Sequence, residues 1–424
     1  MFPQYAGMCM RVHKSLNGMH DGSKDWFETL HGILIAKCDM IQAKAEPTLY
    51  LSGLGTPKAR IVTVIVDDLY IVSPLLASIK EFEQLLNSVV DTTPFEPLHL
   101  FNGWEVEYDM ASKTMYLSLT GAILRFLKTW NMLNCKPKDT PMSTTINMWK
   151  DKDTLPVLPE FRFKVYQIKV GTILYFSITL RPDLVVAINA CAQFMSCPNE
   201  IHEQALEHVM QYLKGTYNLA LCFRPPADPT MLHAMQTSAD ASHWAPDGKS
   251  NWGVVTMMNG GPVTFQGKKM SCVPLSTGEG ELVAGSHAGR IMVYETAVRE
   301  AMGAPLALPR ILQQDSTAAI AMENNHMSTS MTKHIRVKYL FLRDLVQRKE
   351  VHVVYCPTAE LLADFFTKPL DRVTFLYFRD QMMVVLPDAI LAKRNIPNMD
   401  VIASKKKKAV TFSPNVLGAH PTTQ

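Results

Sequence analysis

Apolar and polar positions follow different periods in different parts of this 424-residue chain, and the changes of period divide it. In the first third, short apolar runs are separated by polar breaks. The sharpest example is Ile61-Val62-Thr63-Val64-Ile65-Val66, then Asp67-Asp68, then Leu69-Tyr70-Ile71-Val72. Two β-branched runs around a polar pair predict a strand, a tight turn at Asp67-Asp68 and a second strand. Between about residues 143 and 159 the chain becomes polar and proline-containing, which predicts a linker. Beyond Tyr166 the spacing is helical, over Ala187 to Met195 and Ile201 to Leu213, with Gly215 placed as a helix stop. Arg224-Pro225-Pro226-Ala227-Asp228-Pro229 breaks the pattern again. Strand-like and helix-like stretches then alternate to about Leu370, the pattern of an α/β domain. After Arg379 the periodicity fades, and the chain ends in a polar segment holding Lys405-Lys406-Lys407-Lys408.

Length and composition narrow the classes. A chain this long is expected to form two or three domains, and its 47% hydrophobic content suits a soluble globular protein. A net charge of +3 neither demands nor excludes a nucleic-acid partner, because binding grooves need clustered charge. The eight cysteines include no Cys-x-x-Cys pair, which argues against a zinc knuckle or a redox pair and for reduced thiols inside a cell. No apolar run reaches about 18 residues and the first residues lack a signal-peptide core, so neither a membrane span nor secretion is expected.

The chemistry concentrates in the last α/β region. Asp240 ends a strand-like stretch, and Asp315 lies between the strand candidate Arg310 to Gln314 and the helix candidate Ser316 to Met322. Glu281 opens a helix of small residues after Ser276-Thr277, and Asp364 lies in Glu360 to Phe366. Carboxylates at strand ends and on facing helices can converge at one edge of a sheet. Bare, such a cluster is unfavourable; two Mg²⁺ ions (or Mn²⁺) about 4 Å apart would relieve it and support phosphodiester hydrolysis. Taken singly, Asp315 before Ser-Thr-Ala suits a helix N-cap, Asp240 a turn and Asp364 a solvated carboxylate. Glu279 and Glu281 point to opposite faces of their helix. Glu281 shares its face with Ala284, Gly285 and Ala288, suited to packing on a sheet, whereas Glu279 shares a wetter face with Val283, His287 and Arg290; Glu281 is therefore the chosen ligand.

Ordered motifs from about Arg11 to Met383 resemble those of copia-type retrotransposon polyproteins, from the end of the reverse transcriptase through the ribonuclease H. Val12-His13-Lys14-Ser15-Leu16-Asn17-Gly18 resembles the K-S-L-Y-G-L block, and Val66-Asp67-Asp68-Leu69 the Y-V-D-D-L box. Phe101-Asn102-Gly103-Trp104-Glu105-Val106 is similar to F-L-G-I-E-V. Leu180-Arg181-Pro182-Asp183 and Tyr212-Leu213-Lys214-Gly215-Thr216 resemble T-R-P-D and Y-L-K-G-T. Ala239-Asp240-Ala241-Ser242, Leu275 to Glu281, Thr332-Lys333-His334-Ile335 and Ala363 to Leu370 complete the series.

The resemblance implies a truncated reverse-transcriptase palm over 1–142, thumb or connection helices over 143–224, a ribonuclease H-like domain over 225–371 and a largely disordered tail over 372–424. The fold implied for the third segment is α/β (α+β), a mixed sheet with flanking helices. Its implied activity is cleavage of the RNA strand of an RNA/DNA hybrid, with Asp240, Glu281, Asp315 and Asp364 as metal ligands. Ser242, Ser316 and Gly280 depart from the family pattern but leave all four carboxylates in place. Asp67 and Asp68 supply two of the three carboxylates that polymerisation needs. The family places the third upstream of the K-S-L-Y-G-L block, and Ile65 replaces the tyrosine of the box, so this chain alone is expected not to synthesise DNA.

Lys268 and Lys269 precede the Glu281 helix and suit a phosphate contact or a solvated loop. His334 suits packing at a helix entry, and Lys405 to Lys408 suit solvation or a nuclear-targeting patch. Expected partners are an RNA/DNA hybrid, with a second copy or other element-encoded proteins as further candidates, in a cytoplasmic particle or the nucleus. Three readings stay open: an active hybrid nuclease, a decayed relic that only binds nucleic acid, and a piece of a larger polymerase.

Overall fold

The computed structural model describes residues 22–143, 146–149, 155–232, 234–242, 250–271, 273–274, 276–324 and 336–394. The Lys14-Ser15-Leu16 block, His334 and Lys405 to Lys408 lie outside these.

Helix α1 (Gly22–Ala36) leads into four antiparallel strands, β1 (Ile41–Gln42), β2 (Leu49–Ser52), β3 (Arg60–Ile65) and β4 (Asp68–Val72), in that spatial order, followed by α2 (Leu76–Asn87). Period two in β3 turns Val62 and Val64 inward onto Leu30, Leu34, Phe82 and Leu86. The expected hairpin is present, one residue out of step. Ile65 pairs with Asp68, so Val66 and Asp67 make the turn and Asp68 opens β4. Val66 takes φ 53°, a left-handed conformation that its branched Cβ disfavours, and the Trp26 indole N–H donates to its carbonyl at 3.0 Å.

A second sheet holds β5 (Leu100–Phe101), β6 (Trp104–Asp109) and β7 (Thr114–Ser118). Four helices follow: α3 (Thr120–Thr129), α4 (Glu160–Thr179), α5 (Val185–Ala192) and α6 (Glu200–Gly215). The chain then returns as β8 (Leu219–Phe223), antiparallel to β7. Asn199 caps α6 in a reciprocal arrangement with His202. The segment expected to be a linker is partly packed: Met148 and Leu158 are buried among these helices, and the His202 ring bonds the Met148 carbonyl at 2.9 Å.

The motif residues Arg181, Asp183, Tyr212 and Thr216 form one buried network. The Arg181 guanidinium grips Asp183 through two N–H donors at 2.9 and 2.7 Å and donates to Thr216, while the Tyr212 hydroxyl donates to Asp183 at 2.7 Å. Arg181 and Asp183 are both fully buried. Asp183→Ala, which strands the guanidinium, is expected to cost about 3–5 kcal/mol in chemical denaturation; a loss below about 1 kcal/mol would contradict this account of the motif.

The third sheet is mixed. Strands β9 (Met235–Ser242), β10 (Asn251–Met258) and β11 (Gly261–Lys269) are antiparallel, and α7 (Thr277–Ala301) follows them. β12 (Arg310–Gln314) then pairs parallel with β9; α8 (Thr317–Asn324) and α9 (Arg336–Gln347) lead to β13 (Val351–Tyr355), parallel to β12. The spatial order is β11-β10-β9-β12-β13. Helices carry the parallel crossovers, as parallel pairing requires. This is the mixed sheet with flanking helices that the resemblance implies.

Its two faces have different partners. Trp252, Val254 and Ala239 face α7 and α9, packing on Leu282, Ala284, Ala288, Leu342 and Leu345. Val255 and Phe265 face the other way, into the core that α3 to α6 share with Phe365 and Phe366. The far end of α7 meets the first sheet: Val298, Ala301 and Met302 pack on Leu49 and Leu51, and the Tyr294 hydroxyl donates to Glu46 at 2.7 Å.

The stretch expected to be a disordered tail begins with structure. Residues 372–394 form α10 (Arg372–Met382), β14 (Val384–Val385) against β8, and α11 (Asp388–Lys393). Phe375, Phe378 and Met382 are spaced as a helical stripe and bury in the shared core. Among the described residues no helix is long and apolar enough to cross a membrane.

Candidate metal centre

Strand pairing and one helix bring three carboxylates together. Asp240 sits near the end of β9, Asp315 directly follows the neighbouring β12, and Glu281 lies in the second turn of α7. Ser276 caps that helix, its hydroxyl accepting from the Glu279 amide at 3.2 Å. One ligand oxygen from each of Asp240, Glu281 and Asp315 lies within 4.8 Å of the other two. Helix capping does not occupy Asp315, because the Ser316 hydroxyl accepts the Ala319 amide of α8 at 3.2 Å.

One oxygen of each carboxylate accepts a hydrogen bond. The Ala241 amide donates to Glu281 Oε1 at 3.2 Å, the Thr367 hydroxyl to Asp240 Oδ2 at 2.5 Å, and the Thr358 hydroxyl to Asp315 Oδ2 at 2.6 Å. Glu281 Oε2 is buried and has no partner among the described residues. Arg310 braces the frame, donating to Glu295 and Met292 of α7 and to Thr237 of β9.

Asp364 arrives from a 3₁₀ turn, Leu362–Phe366, and stands beside Asp240 rather than inside the three-way cluster. Its Oδ2 pairs with Lys368 Nζ at 2.8 Å, and its Oδ1 is buried without a partner among the described residues. Two glycines let this turn lie flat on the sheet. Asp240, Gly253 and Gly267 form one row across β9, β10 and β11. A Cβ on Gly253 would stand 2.8 Å from the Ala363 carbonyl oxygen, and one on Gly267 2.5 Å from the Phe366 carbonyl oxygen. Asn251 ties down the end of the turn by donating to the Thr367 carbonyl at 3.1 Å. Gly253, Gly267 and Asn251 were not singled out in the sequence, and Thr367 and Lys368 fall in the Ala363 to Leu370 motif without an assigned role.

Two expectations change. Glu279 is as buried as Glu281, 6% against 5%, so exposure does not separate them; the position of Glu281 opposite Asp240 does. Lys268 and Lys269 part company, since successive strand residues face opposite ways. Lys268 is exposed and pairs with Trp252, whereas Lys269 donates to Gln193 near α5 at 2.8 Å.

Burial raises the Asp240 pKa to about 7, with the Asp364 charge adding to it. Burial likewise raises Glu281 to about 10, reinforced by Asp240 and Asp315. Burial alone would lower the Lys368 pKa, but its contact with Asp364 and the nearby charges raise it. The folded state therefore retains protons that the unfolded chain releases near the ordinary carboxylate range. The stability these protons provide is full at low pH and is lost as pH rises through the folded values. In chelator, the melting temperature is expected to fall as pH rises from about 5 to 8; a flat or rising profile would contradict the clustering.

Residues 3–144 match the reverse transcriptase (RNA-dependent DNA polymerase) family. The chain is 27% identical over 372 residues to the retrovirus-related Pol polyprotein from transposon TNT 1-94 of Nicotiana tabacum, covering 87% of this chain and 28% of that protein. It is 28% identical to that from transposon RE1 of Arabidopsis thaliana, covering 88% of this chain and 25% of the relative. The chain thus spans about a quarter of the length of these curated relatives. Among solved structures, a foamy viral protease-reverse transcriptase in complex with double-stranded DNA aligns over 80% of this chain and 49% of its own, at 12% identity and TM-score 0.41. RNase H1 of Halobacterium salinarum aligns over 32% of this chain and 94% of its own, at 16% identity and TM-score 0.25.

Proposed function

We propose, for a chain related over most of its length to copia-type retrotransposon Pol polyproteins, that the third sheet hydrolyses the RNA strand of an RNA/DNA hybrid. The convergence of Asp240, Glu281 and Asp315 carries this reading. Three carboxylates within 4.8 Å of one another, two of them with raised pKa values, make a donor set suited to hard divalent cations. The unpartnered oxygens of Glu281 and Asp364 fit such ions. Asp240, Glu281 and Asp315 would hold Mg²⁺ or Mn²⁺, with Asp364 completing the set beside Asp240. Bound there, such ions supply an activated water and charge stabilisation for the departing oxygen. The protein's own part is to hold the ligands: Ala241, Thr358 and Thr367 each donate to one carboxylate oxygen, and the second oxygen of Glu281 is buried without a partner among the described residues.

Asp67 and Asp68 fall within the segment matching the reverse transcriptase family, and we assign them to its polymerase hairpin. A second reading, binding without hydrolysis, is favoured by Lys368, whose ammonium already pairs with Asp364. One assay separates the two. The full chain with Mg²⁺ should cut the RNA of a labelled hybrid, and Asp315→Asn should remove the cutting; tight hybrid binding without products from the wild-type chain would establish the second reading instead.

A further inference from the structure

An open recess of 400 Å³ lies at the end of the third sheet opposite the carboxylates, between the starts of β9 and β12 and the loop that follows α7. Met235 opens β9 and Arg310 opens β12, so Asp240 and Asp315 stand five residues further along, about 17 Å away at about 3.3 Å per residue. We propose that this recess binds a monocarboxylate with an apolar body, such as a medium-chain fatty acid, at a site separate from the metal centre.

Charge selects the head group. Two guanidinium groups line the recess, Arg299 and Arg310, and its lining holds no carboxylate among the described residues. Arg310 is compensated: it pairs with Glu295 at 2.7 Å and also donates to Met292 and Thr237. Arg299 is not. It stands in the last turn of α7, its Nε is buried, and its side chain has neither an ion pair nor a hydrogen bond among the described residues. The helix end favours a cation there but supplies no counter-ion. Burial lowers the Arg299 pKa, as expected of a cation whose lost hydration nothing replaces. Arg310 Nε is likewise buried without a partner among the described residues. One uncompensated charge and two unused N–H donors fit a single carboxylate, which accepts at two oxygens.

The walls select the body. Met235, Leu306, Pro309 and Ile311 line the recess beside the two arginines. The position is built by the fold: Ile311 pairs with Gln236 across the sheet, and the Ala304 amide closes the loop onto the Arg299 carbonyl at 3.0 Å. A concavity of this size takes a small organic molecule. Hydrocarbon gains by leaving water there, whereas a run of hydrated phosphates would meet apolar walls and one spare charge.

The test uses the full chain in chelator, with binding measured by calorimetry. Octanoate should bind about tenfold or more tightly than butanoate, as partial burial of the extra methylenes requires. Octanamide, which keeps the chain and loses the charge, should bind about tenfold more weakly than octanoate. Arg299→Gln should bring octanoate down to the level of octanamide and leave octanamide unchanged, while Arg299→Lys keeps part of the preference for the acid. A leucine tripeptide with a free C-terminus, set against octanoate, separates a chain end from a free acid as the source of the carboxylate; whichever binds should show the same loss in Arg299→Gln. Octanoate binding that is equal in wild type and Arg299→Gln, octanamide as tight as octanoate, or no binding of any of these probes would overturn the site. So would a fall in RNA/DNA-hybrid affinity in Arg299→Gln with octanoate binding intact, which would make the recess a nucleic-acid contact.

Discussion

Asp240→Asn should abolish hydrolysis and at the same time raise the melting temperature of the metal-free protein. The two effects have one origin. Asp240 is 3% exposed, stands between Asp364 and Glu281, and has its pKa pushed up by burial and by the Asp364 charge. An amide in its place removes a desolvated, repelled charge while keeping the shape and the acceptor for the Thr367 hydroxyl. Exchanging a buried charge for a neutral group of equal volume can stabilise by about 1–3 kcal/mol. That corresponds to a few degrees in a protein of this size. Catalysis moves the opposite way, because a divalent ion loses a hard anionic ligand, and a fall of at least about 10³-fold is expected. Melting curves in chelator and in Mg²⁺, beside a hybrid-cleavage assay, measure both. A variant that melts lower in chelator at pH 8, or that still cleaves, would refute the account of Asp240.

Gly253→Ala should cripple the centre without touching a carboxylate. The added methyl would stand 2.8 Å from the Ala363 carbonyl oxygen, from Phe366 Cβ and from Thr367 Cγ2, so the turn carrying Asp364 must lift from the sheet. Overpacking of this kind costs about 1–3 kcal/mol, which a well-packed sheet can absorb. A displacement of about 1 Å at a reacting centre costs on the order of 10²-fold in rate. The expected result is a folded protein with cleavage lowered about 10²-fold and Mg²⁺ affinity weakened. Gly267→Ala meets the Phe366 carbonyl at 2.5 Å and Val185 of α5 at 2.8 Å, and should lose more stability for a similar loss of activity. Wild-type cleavage by both variants would show that the glycine row does not seat Asp364.

Much of this was legible in the residues, and the omissions have physical causes. Local patterns worked where local chemistry decides: β-branched alternation gave β3 and β4, and Ser276 served as the N-cap of α7. The hairpin slipped by one because Asp67-Asp68 carries a good turn composition, whereas the register is set by the buried face of β3 and by the Trp26 bond to Val66. The alternative role for Asp315 was settled by a neighbour, since Ser316 takes the cap. Glu279 looked wetter than it is because helical phase says nothing of what the chain later lays over a face. The glycine row and the bond from Thr367 to Asp240 were invisible because strand register and a turn more than a hundred residues later create them together. The stripe of Phe375, Phe378 and Met382 was readable, but its burial depends on helices far away in sequence.

The sheet that carries the metal centre is roofed on one side by its own helices and on the other by α3 to α6. A wall held in common makes the two halves a joint tenancy. Cutting the chain at the proline break near residue 225 would leave Val255, Phe265, Phe365 and Phe366 facing water. Under the proposed function, a lesion in the middle helices would then register as a loss of cleavage although it lies far along the chain from every carboxylate. A change in the helices between would therefore be felt in the sheet that holds the carboxylates, because the two share one core.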